Sequence, residues 1–135
     1  MIGLDTNVLV RYLLQDDPLQ SKKVNHAIEK WLKEGETLWI CQITLCEIFW
    51  VLERCYKLSK EELITILSKL LKTRQIRVEH QDIAWQALHD YEKNSRVGYS
   101  DCLIGRQNVH HECTSTFTLD KVAAKQLAST FNLLN

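Results

Sequence analysis

Glycine and proline are scarce here: four glycines (Gly3, Gly35, Gly98, Gly105) and one proline, Pro18, in 135 residues. Glycines so far apart exclude a P-loop and a dinucleotide fingerprint, which need them clustered where backbone approaches phosphate. A single proline excludes proline-rich linkers and disordered tracts. No apolar run approaches the roughly eighteen residues of a membrane span, so no membrane partner is expected. Net charge is absent too, with seventeen Lys and Arg against seventeen Asp and Glu. Binding nucleic acid by bulk charge is thereby excluded, and only a local basic patch can serve. The five cysteines (Cys41, Cys46, Cys55, Cys102, Cys113) are odd in number and form no C-x-x-C pair. That usage argues against a disulfide framework or zinc knuckle and for a reducing, cytoplasmic location. Met1 to Asp5 carries no basic leader, so no signal peptide is expected.

What remains is 45% hydrophobic and 25% charged, the balance of one globular domain over residues 1–135. Short β-rich runs alternate with longer helical patterns. Strands are expected at 2–5, 38–41, 76–79, 116–118 and, briefly, 131–134. Helices are expected at 6–14, 18–34, 44–57, 60–73 and 81–94, then from Ser100 to about 110 and from Asp120 to about 129. Pro18 suits a helix start, Gly35 a stop and Ser59 a cap. Strands separated by helices predict a three-layer α/β/α sandwich with a mainly parallel sheet of four or five strands. Sites in such sheets form beyond the carboxyl ends of the strands.

Four acids stand near such positions. Asp5 ends the first strand, Glu47 opens the helix after the second, Asp101 begins a late helix, and Asp120 follows the fourth strand. Each alone has a plain explanation: Thr44 to Glu47 fits a capping box, Asp120 an N-cap, and Asp101 a helix dipole. Together at one sheet edge they repel one another unless a cation neutralises them. An all-oxygen set favours Mg²⁺ or Mn²⁺ over zinc, and such an ion polarises phosphoryl groups.

The segments Leu4-Asp5-Thr6-Asn7-Val8-Leu9-Val10, Cys46-Glu47-Ile48-Phe49-Trp50-Val51-Leu52, Ser100-Asp101-Cys102-Leu103-Ile104 and Phe117-Thr118-Leu119-Asp120 occur in that order. This ordered set resembles the PIN-domain ribonuclease family, and within it the VapC-type toxins of bacterial toxin–antitoxin pairs. The resemblance implies a metal-dependent endoribonuclease with Asp5, Glu47 and Asp101 as acidic triad and Asp120 as a more variable fourth carboxylate. Asp5 and Asp101 become principal Mg²⁺ or Mn²⁺ ligands, Glu47 holds or deprotonates the water, and Asp120 supports a second ion or orients a water. Thr6, Asn7 and Thr118 match the family's polar support. Gly105 and Gln107 depart from its small apolar residues, which touches helix packing more than chemistry. Partners implied are RNA, a second copy in a homodimer, and an antitoxin laying an apolar helix nearby and sending a basic side chain into the acidic pocket.

Other readings are weaker. A haloacid-dehalogenase-like phosphohydrolase needs a second Asp where Asn7 stands, while a catalytically silent PIN-like binding domain keeps the motifs without turnover. His110 and His111 read as surface residues at a helix end. Between Arg54 and Arg77, seven basic residues against Glu61 and Glu62 give a net of +5, either a solvated helix pair or an RNA track. Trp50 falls off the apolar stripe Leu45, Ile48, Phe49, Leu52, Cys55, Tyr56, as an interface anchor or flat beneath a loop. Leu63, Ile64, Leu67, Leu70 and Leu71 give the next helix an apolar arc wide enough to suggest a dimer face.

Overall fold

A computed structural model describes residues 1–135 as two compact units, Met1–Glu79 and His80–Asn135. The first runs β1 (Ile2–Gly3), α1 (Thr6–Leu14), α2 (Pro18–Lys33), β2 (Leu38–Ile40), α3 (Gln42–Arg54), α4 (Lys60–Lys72) and β3 (Ile76–Val78). Its three strands pair in the order β1-β2-β3, all parallel, with Ile2 opposite Leu38 and Leu38 opposite Ile76. Leu38, Ile40, Ile76 and Val78 are buried while Arg77 between them is exposed, the period-two signature of a strand with one inward face. Leu45, Ile48, Phe49 and Leu52 of α3 and Leu63, Leu67, Leu70 and Leu71 of α4 join them in the core. Each such side chain taken from water adds roughly 1.5–3 kcal/mol before entropy is counted.

Helix ends follow local chemistry at most places. Asp17 caps α2 ahead of Pro18, and Gly35 stands just beyond it at φ 80°, a left-handed conformation that glycine takes without strain. Ser59 and Glu62 form a reciprocal capping box on α4. Tyr56, two residues beyond α3, accepts from Arg11 and donates to Asp16, at 2.9 and 2.8 Å. The hydrogen bond from Tyr56, more than the Arg11 charge, holds the Asp16 carboxyl below its ordinary range.

The second unit runs α5 (Gln81–Lys93), α6 (Tyr99–His110), β4 (Thr116–Thr118), α7 (Lys121–Gln126) and β5 (Phe131–Leu133). Tyr99 is fully buried and donates its hydroxyl to the Ala84 carbonyl at 2.8 Å. Arg106 of α6 grips Asp90 of α5 with two bonds of 2.6 and 2.7 Å. β4 and β5 pair in parallel, Thr116 opposite Phe131.

Every strand pair is parallel, as the alternation of elements predicts, and the pairing falls into a three-stranded and a two-stranded sheet. Three local expectations change. β1 ends at Gly3 rather than residue 5, because Asp5 already caps α1. α3 spans Gln42–Arg54 rather than 44–57, so Cys55 lies beyond the helix, exposed, and Tyr56 is half-buried. The wide arc on α4 is largely covered: Leu63, Leu67, Leu70 and Leu71 are each at most 2% exposed, and Ile64 is half-buried.

Candidate active site

Because β1, β2 and β3 are parallel, their carboxyl ends share one edge of the sheet. Asp5, Cys41 and Glu79 follow those ends. Asp5 caps α1, its Oδ1 accepting from the Thr6 amide at 2.7 Å. This placement satisfies an orphan helix donor and sets a carboxylate against the positive helix end. Thr6 is buried, and its hydroxyl donates to Glu47 Oε2 at 2.6 Å. A single threonine therefore joins the start of α1 to the exposed face of α3. Asn7 follows on α1, exposed.

Glu47 is no capping residue. α3 begins at Gln42, so Thr44 lies inside it and Glu47 falls in the second turn. The start of α3 is served from elsewhere: Cys41 makes no side-chain cap bond, and Glu79 Oε1 accepts from the Gln42 amide at 3.0 Å. Sequence reading missed Glu79 because its partner lies 37 positions away. Only the pairing of β2 with β3 brings them together. The Cys41 thiol is shifted downward, first by its hydrogen bond with Thr44 and then by backbone amides of the opening turn.

In the second unit, Asp101 is half-buried in the first turn of α6, which starts at Tyr99, one residue before Ser100. Asp120 is the N-cap of α7, accepting from the Val122 and Ala123 amides at 2.9 and 3.1 Å. Thr118 accepts from the Asp120 amide at 3.0 Å, fixing the turn that presents the carboxylate. His110 and His111 are exposed at the end of α6, the His110 ring 5.3 Å from that of His80.

Asp5 and Glu47 lie in the first unit and Asp101 and Asp120 in the second, and neither unit holds a group of three acid, histidine or cysteine ligands. Asp5 and Glu47 each use one oxygen within the protein and stand in no ion pair, so carboxylate oxygens remain for a cation. Such a donor set suits a hard, oxygen-seeking ion. A cavity of about 780 Å³ runs beside α2 from Gln15 to Glu29 and includes neither Asp5 nor Glu47. Asp5 and Glu47 are both exposed, an arrangement that admits a polymer more readily than it encloses a metabolite.

Thr6→Val keeps the shape and removes the hydroxyl. If the chain has the RNA-cleaving activity that the family resemblance implies, its rate is expected to fall about tenfold, with less than about 1 kcal/mol lost in urea unfolding, because exposed Glu47 regains water. Thr6→Ser should restore the rate. Full activity of the valine protein would show that Glu47 needs no positioning.

A family model for the PIN domain matches residues 2–128 of this chain. The VapC ribonuclease of Aquifex aeolicus (strain VF5) is 25% identical to it over 100 residues, which cover 74% of this chain and 73% of that relative.

Proposed function

The chain belongs to the PIN-domain family, and we propose that it is a metal-dependent endoribonuclease, the toxin of a toxin–antitoxin pair. The observation that carries this reading is the Asp5–Thr6–Glu47 arrangement at the carboxyl edge of a parallel sheet. The ribonuclease name of the bacterial relative supports the reaction class. We read both units as one PIN-like domain over residues 1–135, a reading supported by a family match that spans all four acids.

Asp5, Glu47, Asp101 and Asp120 form the acidic set in this proposal, with Asp5 and Asp101 as principal metal ligands. When bound, Mg²⁺ or Mn²⁺ polarises a phosphoryl oxygen and offsets the carboxylate charge. Glu47, held by Thr6, orients the attacking water and accepts its proton. Asp120 steadies a second ion or water from its fixed turn, and Asn7 and Thr118 give polar support. RNA cleavage by the purified protein should appear with Mg²⁺, vanish with chelator and return when the ion is restored. Cleavage undiminished by chelator would overturn metal dependence; metal binding without cleavage would favour the silent binding domain.

The proposed setting is the cytoplasm, in keeping with five cysteines that form no disulfide and with no helix long and apolar enough to cross a membrane. An antitoxin would inhibit by placing a basic side chain among the acids, where its charge mimics the metal. A homodimer completes the proposal. With the α4 arc largely buried, its area falls to exposed apolar residues elsewhere, Phe117 on β4 with Leu119 and Leu134 just beyond β4 and β5. Light scattering at micromolar concentration should give twice 15.8 kDa, and Phe117→Ser with Leu119→Ser should halve it. A strict monomer would remove the dimer and leave the nuclease untouched.

A further inference from the structure

Trp50 is 51% exposed on α3, although most large apolar side chains of that helix are buried. About half of the Trp50 surface is open to solvent. One turn earlier on the same face stands Glu47. One turn later stands Arg54, whose guanidinium lies 5.5 Å from the Trp50 ring centroid. At 1.5 Å per residue, Trp50 lies about 4.5 Å and Arg54 about 10 Å along the axis from Glu47. Ile43, 72% exposed, flanks Glu47 on the other side. The outer face of α3 is thus a ridge with the acid between two apolar groups and a cation at one end.

An anchor for another protein would sit within an apolar patch, but the immediate ridge neighbours of Trp50 are charged. Arg54 forms no ion pair with a carboxylate, so its charge is available to a phosphate. Lys57, also exposed, continues the positive charge beyond the helix end. A flat, exposed indole beside an unpaired guanidinium has the chemistry of a stacking platform for single-stranded nucleic acid: the ring takes a base face and the cation a phosphate. A duplex keeps its bases stacked inside and offers no free face.

We propose that Trp50 and Arg54 form a base-stacking and phosphate-contacting subsite beside Glu47, holding one unpaired nucleotide of the RNA. The inference rests on the ribonuclease reading above and adds to it the residues of this chain that grip the strand next to the acids.

The test uses Asp5→Asn protein with Mg²⁺ and a short fluorescein-labelled RNA, read by anisotropy in single-stranded and hairpin-duplex form. Adding Trp50→Ala should weaken single-strand binding on the order of tenfold, the usual value of one stacked base. Trp50→Phe should keep most of the affinity, and the duplex should bind weakly with no response to either change. Arg54→Gln should reduce the slope of log affinity against log salt by about one phosphate contact. Equal single-strand affinity with and without Trp50 would overturn the subsite. So would a Trp50→Ala protein whose lost affinity merely follows loss of the dimer in light scattering, which would make the indole a subunit anchor. Circular dichroism melting confirms that each variant is folded. Failure of the wild-type protein to cleave RNA would sink the nuclease reading, whereas the subsite stands or falls on binding alone.

Discussion

Asp5→Asn protein is expected to cleave RNA at least about a thousandfold more slowly than wild type. The substitution removes one negative charge from a proposed principal ligand while keeping its size. Changes one shell further out typically cost 10- to 100-fold in metal affinity or activity, so about a thousandfold is a modest expectation for a ligand itself. Stability should move the other way. Asp5 caps α1 through one oxygen, which accepts from the Thr6 amide, and asparagine caps a helix about as well as aspartate. The Thr6–Glu47 bond does not involve Asp5. What changes is one charge fewer beside Glu47, so the thermal midpoint should hold or rise slightly. Asp5→Ala separates the two roles. It should be equally inactive but lose about 1 kcal/mol through the missing cap. Undiminished cleavage by the asparagine protein removes the mechanism.

The contrast between Asp5 and Glu47 shows how far sequence can reach. Asp5 was legible because its setting is local: a strand, an acid, then the polar start of an apolar helix. Pro18, Gly35, Ser59 and Asp120 were legible for the same reason, since each cap or stop is made within a few residues. Glu47 was found as an acid but placed in the wrong turn. The true start of α3 has no capping side chain of its own and depends on Glu79 from another strand. The Thr6–Glu47 bond spans 41 positions, and no local pattern announces it. Apolar arcs mislead in a related way. α4 displays a width that suggested surplus surface, but a helix pattern does not reveal how many neighbours cover it. Trp50 is the converse, an indole correctly placed off its stripe whose charged neighbours gave no apolar patch to bury it.

Gly105→Ala should destabilise the protein, although glycine-to-alanine changes in helices usually help. Glycine inside a helix costs about 1 kcal/mol relative to alanine, so at an open position the substitution would gain that amount. Gly105 is not open. A methyl group there would stand 2.6 Å from Thr130 Oγ1, 2.9 Å from the Phe131 ring and 3.0 Å from Thr130 Cβ. Both residues are about 5% exposed, and the Thr130 hydroxyl is engaged with the Leu127 carbonyl at 3.3 Å, so neither yields freely. Overpacking of this kind costs about 1–3 kcal/mol, which outweighs the helix gain. The net loss should be about 1–2 kcal/mol, read as a thermal midpoint lower by about 3–8 °C. Thr130→Ala in the same chain removes the closest contact and should recover part of it. The alternative to unfolding is a displaced helix, and α6 carries Asp101 one turn before Gly105. Under the proposed mechanism, cleavage at low temperature, where the variant is still folded, should therefore also fall. Gly105→Ala protein as stable as wild type would mean that α6 and β5 are packed less closely than these distances require.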